Sequence, residues 1–138
     1  MGESGDLRKF GPPPSLDELE ELAHRIFAGL PQAFIAPCQG LAIRVVDFAD
    51  DEILAEMGIE SPFELAGLYR GAPLTARGAA DVTQHLDMVF LYRRALLDWW
   101  AEEGTEFEDL VRHVLIHEIG HHFGFSDADM ERIEASHG

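Results

Sequence analysis

Sulfur chemistry is nearly absent from this chain: Cys38 is its only cysteine. No intramolecular disulfide can form, and with no cysteine partner Cys38 reads as a small core or loop residue rather than a reactive thiol. A reducing compartment fits that usage. Positive charge is scarce as well. Ten Lys and Arg stand against 26 Asp and Glu, a formal net charge of -16, so a nucleic acid held through phosphate contacts would be repelled and an anionic membrane disfavoured. Solubility is the simplest meaning of the excess. Long apolar runs are missing too. No stretch approaches the ~20 residues that span a bilayer, and the opening MGESGDLRKFGPPP has no apolar segment of a signal peptide. Asp6 stands where a myristoylation motif wants Ser or Thr. The expectation is a soluble, cytoplasmic protein with no nucleic-acid or membrane partner. Its oligomeric state is not legible. Internal repeats and low-complexity tracts are also lacking.

What is present suits one compact unit: 138 residues, 46% of them hydrophobic, form a real core but not two independent ones. Residues 1–14, with their glycines and the triplet Pro12, Pro13, Pro14, read as a flexible tail, and 15–138 as a single domain. Ser15 caps a helix with Glu18 as its capping-box partner, and Leu16, Leu19, Leu22, Ala23, Ile26 and Phe27 form its apolar stripe up to Gly29. Strands are expected over 41–48, 67–70 and 87–92, the last apolar on both faces as under covering helices. A short helix over 50–57 ends at Gly58, and a Gly/Pro turn region runs through Pro73 and Gly78. The chain then turns helical: 93–103 up to Gly104, and a longer helix opened by a box between Thr105 and Glu108. In that helix Phe107, Leu110, Val111, Val114, Leu115 and Ile119 recur at helical spacing.

The end of this apolar helix carries HEIGHHFGFSD, residues 117–127. At ~100° per residue His117 and His121 lie about 40° apart on one face, one turn above the other, so both imidazoles can reach a single ion. Zinc held by two imidazoles needs a third protein ligand from beyond the helix, with the fourth position left for water. Gly124 can take the left-handed conformation that ends the helix and returns the chain. Of the acids that follow, Asp129 is engaged by a capping box with Ser126, which leaves Asp127 as the preferred third ligand. Glu131 or Glu134 on the last helix is the alternative. Glu118, flanked by the two histidines, is the candidate base. His113, one turn earlier on the same face, reads as a supporting group or as ordinary packing, and His122 points about 100° away from His121. His24, His85 and His137 have no evident partner. Tyr69 and Tyr92 are candidate oxyanion stabilisers, although an amphipathic core tyrosine is the commoner role.

Chance accounts poorly for the pattern. From this composition H-E-x-x-H arises somewhere with a probability of roughly 0.04, and with Gly124 and Asp127 added of about 0.0003. The stretch His117-Glu118-Ile119-Gly120-His121-His122-Phe123-Gly124-Phe125-Ser126-Asp127 resembles the extended metzincin signature with aspartate as third ligand. More closely it is similar to the small bacterial zincin-like metallopeptidases, the minimal zincins. GLYRG at 67–71 and VFLYRR at 89–94 extend the resemblance over most of the chain from Ser15 onward. It implies an α+β fold: a small mixed sheet of three to four strands packed against helices, one of them the active-site helix, with a zinc held by His117, His121 and Asp127. Peptide-bond hydrolysis is implied with it. The methionine turn of true metzincins has no room here, since eleven residues follow Asp127, and Met130 is expected to pack with Ile133.

Two functions follow. One is a zinc peptidase acting on a peptide or unstructured protein, with Glu118 taking a proton from the attacking water and passing it to the leaving amine. An extended substrate would pair with an exposed strand edge, at 67–70 or 87–92. The other is a non-catalytic interaction module whose zinc is structural. A closed structural site takes four protein ligands and needs no base, so Glu118 favours the first.

Overall fold

A computed structural model of the chain describes residues 13–38, 40–71 and 87–135. The expected turn region through Pro73 and Gly78, most of the expected tail, His85 and His137 lie outside them. Of that tail, Pro14 is anchored: its carbonyl accepts from Arg93 Nε at 2.7 Å. In chain order the elements are α1 (Leu16–Ala28), α2 (Gln32–Ile35), β1 (Ala42–Val46), α3 (Asp51–Met57), β2 (Gly67–Arg70), β3 (Met88–Tyr92), α4 (Arg93–Glu103), α5 (Phe107–Phe123) and α6 (Asp127–Ala135), with single 3-10 turns at Ala36–Cys38 and Pro62–Glu64. Among the described residues, six α-helices and a three-stranded mixed sheet make this an α+β fold, as the sequence leads one to expect.

Local chemistry explains most of the boundaries. Ser15 and Glu18 exchange side-chain to backbone bonds at 2.8 and 3.1 Å, satisfying two donors that the helix itself leaves open. Asp50 caps α3 through Ile53 N–H at 2.9 Å, and Gly58 closes it in the left-handed conformation. One expected cap does not form. The N-cap of α5 is Glu106, one residue later than expected, and it makes no side-chain cap bond. Glu108 is taken by Arg112 Nη2 at 3.4 Å, and the Thr105 carbonyl accepts from Trp100 Nε1 at 2.9 Å.

The strand order is β1-β3-β2, with β1 parallel and β2 antiparallel to β3. β3 is therefore paired on both edges, which removes 87–92 as a docking edge; β2 keeps one edge unpaired among the described residues. Both faces of β3 are covered, as its apolar sequence requires. On one side Val89 and Leu91 pack with Leu19, Ala23 and Ile26 of α1 and with Val111, Leu115 and Ile119 of α5. On the other, Tyr92 joins Leu54, Leu65, Leu68 and Ala95. Cys38 is a buried core residue whose thiol donates to the Phe34 carbonyl at 3.4 Å. Burial, and then the Asp87 charge, push that thiol up to about 11.

Candidate metal centre

Helix α5 is fixed by its apolar side, where Val111, Leu115, Ile116 and Ile119 are fully buried. The opposite side carries a column of imidazoles. His113 and His117 stand with ring centroids 4.2 Å apart, and His117 and His121 stand edge to face at 5.8 Å. Spacing of four residues, slightly more than one turn, produces this column, since each side chain rises about 6 Å above the one before.

The chain then reverses onto the column. Gly124, at φ 80, lets its N–H reach the His121 carbonyl at 3.3 Å, while Phe125 N–H reaches the Gly120 carbonyl at 2.9 Å. This is the pairing of a Schellman cap. Ser126 then starts α6 with the expected box, its Oγ accepting from Asp129 N–H at 3.0 Å. Gly120 supplies the close contact between the two helices: a Cβ there would meet Met130 Cγ at 2.9 Å and Sδ closer still. Met130 is fully buried and packs on the backbone of the motif itself, a stronger role than the expected pairing with Ile133 alone.

That docking brings Glu134 to the histidines. Its two carboxylate oxygens take one imidazole each, Oε2 on His113 Nδ1 at 2.9 Å and Oε1 on His117 Nε2 at 2.8 Å. Burial works to raise the Glu134 pKa, but the two imidazole hydrogen bonds outweigh it and hold the carboxyl below the usual range. His113, His117 and Glu134 thus each offer a donor atom within 4.8 Å of the others. Of the residues singled out in the sequence, His121 and Asp127 approach each other, Nε2 to Oδ1 at 3.8 Å, with side chains 62% and 87% exposed. His117 and Glu134 are far more enclosed, at 24% and 29%. Imidazole nitrogen and carboxylate oxygen are zinc's ordinary ligands alongside thiolate, so this donor population fits the metal. His113 and Glu134 carry more of the local geometry than the motif spacing indicates. The i, i+4 repeat from His113 to His117 was the available signal for the first; the second depends on how α6 packs.

Glu118 lies on the neighbouring face of α5 and lines a cleft of about 450 Å³ together with Leu65, Ala66 and Gly67 and with Asp98 and Trp99 of α4. Burial pushes its carboxyl above the usual range, opposed by a hydrogen bond from the Tyr69 backbone and by His121 and His117. Gly67 allows this approach, because a Cβ there would meet Val114 Cγ1 at 2.6 Å and Glu118 Cγ at 3.4 Å. The Tyr69 ring stacks on His122 at 3.8 Å, which gives His122 a packing role between β2 and the end of α5. Tyr92 is only 1% exposed and is a core residue.

Comparison with known proteins bears on the fold and the family. A conserved hypothetical protein from Thermo thermophilus shares the fold at a TM-score of 0.53 and 23% identity, over 79% of this chain and 94% of its own. No curated protein gives a significant match. The family model of the zincin-like metallopeptidases matches residues 38–137, which takes in the sheet, the cleft, the imidazole column of α5 and the α6 that packs on it; the chain belongs to that family.

Proposed function

We propose that the protein is a zinc-dependent peptidase acting on extended peptide segments, with Glu118 as its general base. The carrying observation is the position of Glu118: half-buried on α5, its carboxyl raised by that burial, and lining a cleft bordered by β2. A base works best when its pKa approaches the working pH, and desolvation moves Glu118 in that direction. His117, His121 and Asp127 are the proposed zinc ligands. When bound, zinc would acidify a water to a pKa of ~7 and polarise the scissile carbonyl. Glu118 takes the proton from the attacking water and gives it to the leaving amine, and the Tyr69 backbone N–H keeps the carboxylate oriented between the two events. The substrate lies along β2, pairing its backbone with the outer edge of that strand.

The reading is tested with a peptide library and zinc-loaded protein. Wild type should cleave, and Glu118→Gln should keep its zinc while losing about 10²- to 10⁴-fold in rate, the usual worth of a general base. Cleavage by Glu118→Gln at the wild-type rate would sink the assignment. Zinc binding with no cleavage of any library member would favour the second reading, an interaction module whose metal ties α6 to α5. The exposure of His121 and Asp127 is the observation on its side.

A further inference from the structure

The imidazole column holds one histidine more than the motif needs. His117 is common to two candidate triads: the one proposed above with His121 and Asp127 towards the end of α5, and one with His113 and Glu134, whose donor atoms lie within 4.8 Å of one another. We propose that His113, His117 and Glu134 form a second metal position for a divalent ion such as zinc, mutually exclusive with the first because both draw on His117.

The second triad is the better organised of the two. His113 Nδ1 and His117 Nε2 already converge on one carboxylate at 2.9 and 2.8 Å, and the Trp99 ring packs edge-on against His113 at 5.9 Å, limiting its rotation. Its members are half-buried, and Met130 fixes the helix that brings Glu134 in. The protons shared with Glu134 occupy the place of an ion, so binding there exchanges them for the metal with little rearrangement. His117 Nε2 has one lone pair and serves one ion at a time. An ion seated with His113 and Glu134 would lie about one helical turn from the position that His117 and His121 define, and would be withheld from the proposed catalytic site. The helix would in this way carry an inactive register for its own metal. This rests on the metal-binding half of the proposed function, and it is read by metal binding alone, so a protein that passes the test yet cuts nothing removes the peptidase reading and leaves the second position standing.

The experiment is zinc titration by calorimetry of full-length wild type, His113→Ala, His121→Ala, the double variant of these two, His121→Ala/Glu134→Gln, and His117→Ala, with metal-free circular dichroism to verify folding. Wild type should bind one zinc, and each of His113→Ala and His121→Ala should still bind one. Both double variants and His117→Ala should weaken binding by more than about a hundredfold, beyond the range that loss of an outer-shell partner produces. The proposal is overturned if His121→Ala loses zinc as completely as His117→Ala, if the double variants bind as well as His121→Ala, or if wild type binds two ions together or none.

Discussion

Glu118 sits where its charge is costly to the fold. Its carboxyl is held above the ordinary range by burial, so between the unfolded and folded pKa values the unfolded chain binds fewer protons than the native one, and stability falls as pH rises through that window. Above the folded value the whole cost is present. In metal-free protein Glu118→Gln should therefore melt at a higher temperature than wild type, with the gap closing as pH is lowered to 4; an equal or lower melting temperature at pH 7 would contradict the burial cause. Such a gain from removing an active group is the usual sign of a site kept strained for function. Glu134 works in the opposite sense. Its folded pKa is depressed, so its contribution is present above the unfolded value of about 4.3 and lost as pH falls through the folded one. Glu134→Gln should accordingly destabilise metal-free protein at pH 7, with the difference shrinking as pH falls below the carboxylate range, measured by urea unfolding.

At the scale of elements, the two glycines of the motif have distinct tasks. Gly124 holds φ at 80, and an alanine in that left-handed conformation costs roughly 1–2 kcal/mol; Gly124→Ala should lower unfolding free energy by about that much and leave α5 intact. Gly120 lies inside the helix, where alanine would gain about 1 kcal/mol in propensity but collide with a fully buried Met130, an overpacking worth roughly 1–3 kcal/mol. The collision should win, and a double-mutant cycle with Met130→Ala should show the two sites coupled by more than ~0.5 kcal/mol. Elements of this kind were legible wherever the deciding chemistry lay within a few residues: the boxes at Ser15 and Ser126, the stop at Gly124, and all three strands. Thr105 misled because a third group, Arg112, claims Glu108. Glu134 was legible only as one of several acids, since its arrival beside His117 depends on the Gly120 to Met130 contact between helices, which no sequence period encodes.

Over the whole molecule, the proposed metal would be linked to the fold through one joint. Helix α6 is held to α5 by Met130, by the Schellman turn and by Glu134 on the two imidazoles, and both triads contain one residue from α6 and two from α5. Zinc at either proposed position would cross-link the last two helices of the chain, and since the unfolded chain holds no such arrangement, its binding energy would become folding energy. Free zinc at 100 times its dissociation constant should add about 2.7 kcal/mol. With a melting-temperature change of roughly 3–5 °C per kcal/mol for a chain of this size, chelation should lower the midpoint by about 8–13 °C. The distribution of that loss is the more telling measurement. Hydrogen exchange with and without chelator should lose protection in 117–135, while β1 and α1, which contribute to neither triad, keep theirs. Uniform loss across the chain would mean that the metal stabilises the fold as one cooperative block rather than through the α5 to α6 joint.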